Sequence, residues 1–271
     1  MIPELALTDR TAVVTGAGRG IGKAIALVLA EAGADVVVAA RTLPEVEATA
    51  EQVRASGRQA LAVRTDITVS ADADSLVAQA LERFGKVDIL VNNAGQIVKL
   101  PVVPYPDVVL EPPRVTRRSD TAMSDEEWQK IIDVNLNGVF YCCRAVAPHM
   151  IDREYGKIIN ISSVYDKLAD PMVSSYNASK AGVAMLTRVL ALEWAPYNIC
   201  VNGIGPGAYR TPINAERWDD PAERQRILDA VPMGREGDLR ELGILAAYLA
   251  SPATDYMTGQ IIYLDGGRSA K

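Results

Sequence analysis

The chain has 271 residues, 49% hydrophobic and 23% charged, an ordinary globular composition long enough for one large α/β domain or two small ones. Its formal net charge of -6 argues against nucleic acid or an anionic membrane as the main partner. Three cysteines and one histidine exclude a disulfide framework and leave almost nothing for a metal site, so we expect no metal.

The ordering of apolar residues also bears on the compartment. The first residues lack a basic segment followed by an apolar one, which a secretory signal would need. No apolar run approaches the roughly 18 residues that a membrane-spanning helix requires. We therefore expect a cytoplasmic protein without a membrane partner.

Apolar, strand-like runs alternate with amphipathic helical stretches along the chain. The predicted strands are 11–15, 36–40, 60–64, 87–92, 157–161, 199–204 and 260–264, and the predicted helices are 21–32, 43–56, 73–84, about 125–150, 176–194 and 241–250. Strands separated by helices imply crossover connections. The sequence thus predicts an α/β fold, a doubly wound parallel sheet of about seven strands with helices on both faces, in a single domain spanning 1–271.

Two stretches interrupt this alternation. Residues 96–123 contain five prolines and a basic cluster of Arg114, Arg117 and Arg118, and residues 207–237 place a short helix between proline-containing loops. Both follow predicted strand ends, where open α/β sheets bind ligands. We interpret 96–123 as an inserted loop near the site and 207–237 as a substrate lid.

The segment 15–22, with the sequence TGAGRGIG, joins the first strand to the first helix. Glycines let the backbone turn tightly and approach a pyrophosphate, while the helix N-terminus offers free N–H groups and positive dipole. This context predicts a dinucleotide-binding turn formed by Gly16, Gly18, Arg19, Gly20, Ile21 and Gly22.

The end of the second strand bears on the choice of dinucleotide. No carboxylate stands there to bind the adenosine ribose, as NAD-specific sites generally require. Arg41 follows directly, and Arg19 lies in the turn, so two guanidinium groups could converge on a 2′-phosphate. We therefore expect NADP as the preferred cofactor. The alternative is that both arginines are simply solvated on the surface and that the cofactor is NAD. Asp66 either accepts a hydrogen bond from the adenine amino group or forms a turn.

Tyr176 and Lys180 are four residues apart in a predicted helix, which puts both side chains on one face. An ammonium beside a phenol stabilises the phenolate and lowers its pKa, as a general acid/base needs. Ser163 follows a predicted strand and could orient a substrate oxygen against Tyr176. Asn135 is a polar amide at a core-facing helical position, where a structural or relay role fits.

These motifs together resemble the short-chain dehydrogenase/reductase family, in the short form without a C-terminal extension domain. The resemblance runs from Thr15 to Gly267 and includes the Asn-Asn-Ala-Gly motif at 92–95 and the nicotinamide-side segment at 202–207. It implies a Rossmann-like fold and a catalytic tetrad of Asn135, Ser163, Tyr176 and Lys180. The implied cofactor contacts beyond the glycine turn are Ile67, Asn93, Ala94, Gly95, Tyr176, Lys180, Pro206, Gly207 and Thr211.

The resemblance also implies a mechanism. Tyr176 donates a proton to a carbonyl oxygen as the pro-S hydride of the nicotinamide reaches the carbon, and Ser163 orients and polarises that carbonyl. Lys180 binds the nicotinamide ribose and lowers the Tyr176 pKa, while the backbone at Asn135 holds a water of a proton relay. We therefore predict an NAD(P)-dependent oxidoreductase that reduces a small-molecule ketone or oxidises the matching secondary alcohol.

Three alternatives remain open: an NAD-linked polyol or sugar dehydrogenase, a 3-oxoacyl thioester reductase and, more remotely, a non-catalytic dinucleotide-binding sensor. Carrier-protein reductases of the family dock the acidic carrier with arginines where this chain has Glu154 and Tyr197, which weakens that reading. The helix 176–194 is apolar beyond its catalytic face, and the family pairs this helix across a four-helix interface. A homotetramer is therefore expected, with a dimer as the alternative.

Overall fold

The computed structural model of the protein describes residues 2–104 and 121–270. Seven strands form one parallel sheet in the order β3-β2-β1-β4-β5-β6-β7. The strands are β1 (Thr11–Thr15), β2 (Asp35–Ala40), β3 (Ala60–Arg64), β4 (Ile89–Asn92), β5 (Gly156–Ile161), β6 (Ile199–Pro206) and β7 (Ile261–Leu264). The helices are α1 (Gly20–Glu31), α2 (Leu43–Ala55), α3 (Ser70–Phe84), α4 (Asp125–Ile132), α5 (Gly138–Asp152), α6 (Ser174–Trp194), α7 (Ala215–Asp219), α8 (Pro221–Asp229) and α9 (Leu239–Ala250).

The sheet is covered on both faces. Val36 and Val38 of β2 belong to one buried cluster, which contains the apolar faces of α1 and α9, whereas Val37 belongs to a second cluster with α3, α5 and α6. Successive strand residues point to opposite faces, so continuously apolar strands are what two covered faces require. The predicted doubly wound, Rossmann-like parallel sheet is confirmed.

The strand order reverses beside β1, which pairs with β2 on one side and with β4 on the other. Loops leave the carboxyl ends of these neighbours in opposite directions and open a crevice at this switch point. The glycine turn after β1 and the segment after β4 both enter that crevice. The topology therefore places the predicted site residues together, although they are far apart in the chain.

The long helix predicted over about 125–150 is not continuous. A π-helical turn, Asp133–Asn137, separates α4 from α5, and the Gly138 N–H donates to the Asp133 carbonyl five residues back. Such a turn inserts one residue into the helical ladder, which apolar periodicity does not reveal. Other differences are at element ends; α9, for example, begins at Leu239 behind a capping box of Asp238 and Glu241.

The two predicted irregular stretches have different outcomes. Residues 105–120, with Arg114, Arg117 and Arg118, lie outside the described residues. Within 207–237 the structure has two short helices rather than one, because Asp220 ends α7 and its side chain accepts hydrogen bonds from the Ala222 and Glu223 N–H groups at the start of α8. None of the helices in the described ranges is long and apolar enough to cross a membrane.

Candidate active site

A cleft of about 790 Å³ opens at the carboxyl ends of the strands. Most of the predicted cofactor residues line it: Gly16, Gly18, Arg19, Gly20, Ile21, Arg41, Asp66, Ile67, Asn93, Ala94, Gly95, Tyr176, Lys180, Pro206, Gly207 and Thr211. Ser163 also lines the cleft, whereas Gly22 and Asn135 are buried behind its wall. The structure therefore gathers the glycine turn and the Tyr-Lys-Ser group around one cavity.

The glycine turn is packed against the segment that follows β4. Gly16 has φ +64°, and a Cβ there would approach the Ala94 Cα to 2.7 Å. The Asn93 side-chain amide donates to the carbonyls of Thr15 and Gly16 at 3.0 and 3.1 Å. Only glycine meets both the backbone conformation and the space at this position.

Two residues support the turn from behind. A Cβ at Gly22 would lie 2.3 Å from the Asn93 Nδ2, so this glycine serves packing between α1 and the turn rather than lining the cleft. The Thr15 hydroxyl accepts hydrogen bonds from the N–H groups of Asn93 and Ala94 at 3.0 and 3.2 Å. Sequence reasoning did not single out Thr15, although its place between strand and glycine turn was a usable signal.

The N-terminus of α1 opens into the cleft without a side-chain cap. Arg19 occupies the N-cap position and makes no capping hydrogen bond, and the first turn carries no acidic residue. The free N–H groups and the positive end of the helix dipole therefore remain available to an anion.

The opposite wall of this end of the cleft carries mixed charge. Arg41 is exposed and lines the cleft, as does Arg19, whose guanidinium pairs with the Glu45 carboxylate at 3.7 Å. Glu45 packs so closely on Gly18 that a Cβ on that glycine would lie 2.8 Å from the Glu45 Cβ. No acid stands at the end of β2; Glu45 comes from the first turn of α2, four residues after Arg41.

Asp66 forms a turn and also lines the cleft. Its Oδ1 accepts hydrogen bonds from the Thr68 N–H and hydroxyl at 3.1 and 2.8 Å. The Asp66 Oδ1 therefore stabilises a turn, which is one of the two roles expected for this residue.

Tyr176, Ser163 and Lys180 meet at the inner end of the cleft. The Ser163 hydroxyl is hydrogen-bonded to the Tyr176 side chain. The Lys180 Nζ lies 5.7 Å from the centre of the Tyr176 ring and donates a 2.7 Å hydrogen bond to the Ile161 carbonyl at the end of β5. The end of β5, the residues that follow it and helix α6 therefore bring Ser163, Tyr176 and Lys180 together.

The ionisation of this pair differs from the sequence-based expectation. Burial raises the pKa of Tyr176 to about 12, against a lowering by the Ser163 hydrogen bond, and the charges of Tyr165 and Asp166 add to the rise. Burial also lowers the pKa of Lys180 to about 8. Desolvation is the largest influence on the Tyr176 pKa, and the expected lowering by Lys180 is not among its causes; the Lys180 ammonium donates to the Ile161 carbonyl instead.

Asn135 sits in the π-helical turn and is fully buried. Its Oδ1 accepts from the Gln96 N–H at 2.8 Å, and its Nδ2 donates to the Gln96 carbonyl at 2.9 Å and to the Ser179 hydroxyl at 3.0 Å. The Ser179 hydroxyl in turn donates to the Tyr176 carbonyl at 2.8 Å. The side chain thus ties the segment after β4 to the helix that carries Tyr176 and Lys180.

Beyond Tyr176 the cleft has polar walls. The Tyr165 ring stands edge-on to the Tyr176 ring with centres 6.1 Å apart, and its hydroxyl donates to the Asp170 carboxylate at 2.8 Å. The Arg268 Nη2 donates to the same hydroxyl at 3.2 Å. Asp166 does not line the cleft, since its carboxylate accepts from Ser162 and from Tyr263 instead.

Across residues 2–104 and 121–270, no group of three or more histidine, cysteine or acidic side chains is placed to hold an ion.

Comparison with known proteins agrees with this geometry. The family model described as short chain dehydrogenase matches residues 10–222. The chain is 43% identical over 265 residues to 3beta-hydroxysteroid dehydrogenase 1 of Eggerthella lenta, covering 96% of this chain and 94% of the relative. It is 38% identical to a 3-oxoacyl-[acyl-carrier-protein] reductase of Synechocystis, with coverage of 97% and 98%.

Among solved structures, the gluconate 5-dehydrogenase of Burkholderia cenocepacia, crystallised with NADP and tartrate, superposes with a TM-score of 0.89. The two share 37% sequence identity, over 99% of this chain and 98% of the other. The protein is therefore an oxidoreductase that belongs to the short-chain dehydrogenase family.

Proposed function

We propose that this oxidoreductase uses NADP(H) to interconvert a small-molecule ketone and its secondary alcohol, with Tyr176 as the general acid and base. The observation that carries the proposal is a single cleft with two ends. One end is formed by the glycine turn and the uncapped start of α1, and the other by Tyr176, Ser163 and Lys180. A dinucleotide and a carbonyl compound would lie end to end there.

The residues present fit NADP. The Gly16 cradle and the free N–H groups of α1 suit a pyrophosphate, and Arg41, with Arg19 beside it, suits a 2′-phosphate. The Burkholderia relative was crystallised with NADP. The strand-end residues Asn93, Ala94, Gly95, Pro206, Gly207 and Thr211 would hold the nicotinamide half, which supplies or accepts the hydride when the cofactor is bound.

The protein side of the reaction is proton transfer and orientation. A buried phenol with a pKa near 12 is protonated at neutral pH, so Tyr176 can donate a proton to a carbonyl oxygen. Ser163, hydrogen-bonded to Tyr176, can hold that oxygen against the phenol. In the reverse direction Tyr176 must accept a proton, and the charge of Lys180 would then favour its anionic form.

Asn135 supports this machinery. We expect the wider backbone ladder of the π-helical turn to leave a carbonyl for an ordered water that leads from Lys180 to solvent. Its side chain is already committed to Gln96 and Ser179, so a relay would use the backbone.

The segment 207–237 is proposed as a lid over the cleft. Residues of α7 and α8, among them Trp218, Glu223 and Ile227, line the cavity. Trp218 and Val231 pack into a small buried cluster separate from the main core, which would let the two helices move as a unit.

A polar substrate is the better fit among the activities named for relatives. The wall beyond Tyr176 carries the Tyr165 hydroxyl, the Asp170 carboxylate and the Arg268 guanidinium, which a steroid nucleus or fatty acyl chain would remove from water without offering new hydrogen-bond partners. A polyol or sugar dehydrogenase is therefore the second candidate, with NAD as cofactor if Arg41 proves idle. A 3-oxoacyl thioester reductase is less favoured.

We expect a homotetramer built through α6. Val183 and Leu190 of this helix are buried in the core, whereas Met185, Val189 and Leu192 are exposed. Exposed apolar residues aligned on one helix face are typical of subunit interfaces. Light scattering on purified protein tests this, and a monomer at micromolar concentration would contradict it.

A cytoplasmic location fits the cysteines. Cys142, Cys143 and Cys200 are all free thiols and buried, as expected in a reducing compartment. Cell fractionation would test the location.

The function itself is tested by absorbance at 340 nm with a panel of ketones, polyols and sugar acids, each with NADPH or NADH (or the oxidised form for alcohols). Turnover with NADP(H) supports the proposal. Turnover with NAD(H) alone contradicts the assignment of NADP, and binding of neither dinucleotide in a fluorescence titration contradicts the whole proposal.

A further inference from the structure

The arginines of the cleft differ in whether their charge is neutralised. Arg19, Arg217 and Arg226 pair with glutamates. Arg41 and Arg268 also line the cleft, and neither forms an ion pair with a carboxylate of residues 2–104 or 121–270. Arg41 lies at the end proposed for the 2′-phosphate. Arg268 lies at the opposite end, where the cofactor offers no phosphate.

The main chain on either side of Arg268 is held in place by the Asp265 carboxylate. Arg268 follows β7, and the Asp265 carboxylate accepts hydrogen bonds from the Gly267 and Ser269 N–H groups at 2.9 and 2.7 Å. The acid nearest in sequence is therefore committed to main-chain groups rather than to the guanidinium. The guanidinium is partly exposed on the cleft wall, so a ligand can reach it without first breaking an ion pair.

The guanidinium is also close to the reacting end of the cleft. Its Cζ lies 5.1 Å from the centre of the Tyr165 ring, whose centre is 6.1 Å from that of Tyr176. Only one of its five N–H groups has a partner among the described residues, the Tyr165 hydroxyl at 3.2 Å. The remaining donors can take a carboxylate in the paired geometry that guanidinium favours.

We propose that Arg268 binds a carboxylate of the substrate, so that the protein acts on a hydroxy acid or the corresponding keto acid. This inference rests on the proposed function, because it assumes that the reacting carbon lies at Tyr176. One substrate molecule would then be held at both ends, by Ser163 and Tyr176 at the reacting oxygen and by Arg268 at the anionic group. Tyr165 forms the wall between them.

Asp170 sets a limit on the charge that fits. Its carboxylate accepts a hydrogen bond from the Tyr165 hydroxyl and lines the cleft, so its negative charge repels that of a bound acid. Substitution of Asp170 by Asn should therefore strengthen acid binding, opposite to the effect of substituting Arg268. The two variants should therefore change the affinity for an acid in opposite directions.

The test uses three pairs of compounds that share a carbon skeleton and differ in that each carboxylate of the acid is a CH2OH group in the neutral partner: D-gluconate and D-glucitol, L-tartrate and L-threitol, D-glycerate and glycerol. Calorimetry gives dissociation constants for each on the full chain, with and without NADP⁺. A charge-assisted contact should make at least one acid bind about tenfold or more tightly than its neutral partner. Arg268→Gln should remove that advantage, Arg268→Lys should keep part of it, and Asp170→Asn should increase it.

Arg240→Gln is the matched control, since it removes the same charge from an exposed ion pair with Glu31 outside the cleft and should leave the advantage unchanged. The inference is overturned if no acid binds more tightly than its neutral partner, or if the advantage persists in Arg268→Gln. Titration of the wild type with NADPH distinguishes a failure of the proposed function from a failure of the role given to Arg268. If the wild type does not bind NADPH, the proposed function is contradicted. If it binds acid and alcohol equally well with NADP⁺ bound, only the role of Arg268 is contradicted.

Discussion

The Nζ of Lys180 donates a 2.7 Å hydrogen bond to the carbonyl oxygen of Ile161, the last residue of β5. The lysine is almost completely buried, and no carboxylate of the described residues forms an ion pair with it. Burial of an ammonium is costly, which is why the pKa of Lys180 falls to about 8, although the charge of Asp166 opposes that fall. This hydrogen bond connects the end of β5 to helix α6 and fixes the position of the Lys180 ammonium relative to Tyr176.

The first prediction is a pH dependence of stability that comes from Lys180. Its pKa is about 8 in the folded protein against an ordinary 10.5, so the unfolded chain binds more protons between these values. The free energy of unfolding should therefore rise with pH across this window, by about 3 kcal/mol for this group alone. Below pH 8 the protein bears the full free-energy cost of burying the Lys180 ammonium, and above pH 10.5 this cost is absent because the lysine is neutral in both the folded and the unfolded chain.

Lys180→Met removes the titrating group with little change in length. Urea unfolding at pH 7.5 and at pH 10 should show a smaller gain in stability for this variant than for the wild type. The same change in both proteins would mean that the lysine is not desolvated as described.

A second prediction concerns the glycine turn. Gly16→Ala should abolish NADPH binding and lower the free energy of unfolding by about 2–4 kcal/mol, because a Cβ would meet the Ala94 backbone in addition to the strained φ. Gly57→Ala is the control, since Gly57 has φ +83° but open space around it, and should cost only about 1–2 kcal/mol. Fluorescence titration and urea unfolding give both quantities. Retention of NADPH binding by Gly16→Ala would contradict the placement of the pyrophosphate.

The third prediction separates NADPH from NADH. Arg41→Ala should raise the dissociation constant of NADPH by about 10–100-fold, since a charged hydrogen bond is lost, and leave that of NADH unchanged. Glu45→Gln releases Arg19 from its 3.7 Å ion pair and should leave NADPH binding equal or tighter. Equal weakening of both dinucleotides by Arg41→Ala would show that Arg41 does not meet the 2′-phosphate.

Asn135 provides a fourth prediction. Asn135→Ala removes three hydrogen bonds, two to the backbone of Gln96 and one to the Ser179 hydroxyl, so we expect a loss of about 2–4 kcal/mol in the free energy of unfolding. The side chain of Asn137, two residues later, donates to the Asp133 carboxylate within the same turn, and Asn137→Ala should cost less than about 1 kcal/mol. Similar losses in the two variants would argue against Asn135 as a tether.

The sheet could be predicted from the sequence because each strand is apolar on both faces and each crossover has a helical period. The glycine turn and the spacing of Tyr176 and Lys180 are likewise local patterns. The π-helical turn could not be predicted, since the apolar residues of α4 and α5 continue across it. Arg268 could not be found either, because it meets Tyr165 across 103 residues without any local motif.

The pKa of Tyr176 illustrates a different limit. Spacing indicates that Lys180 shares a helix face with the phenol, but the size of the desolvation and the direction of the ammonium depend on the packed structure. Glu45 was missed for a related reason, since its contact with Gly18 depends on how α2 packs beside the turn.

Proton transfer by Tyr176, in a cleft that binds NADP(H), is the step on which the proposed function depends. Its most direct test compares the wild type with Tyr176→Phe, first by NADPH fluorescence titration and then by absorbance at 340 nm with a substrate that the wild type turns over. We predict unchanged NADPH affinity and a fall in kcat of about 10²–10⁴-fold or more, because the general acid is lost while the cavity keeps its shape. Turnover within a few-fold of the wild type would contradict it.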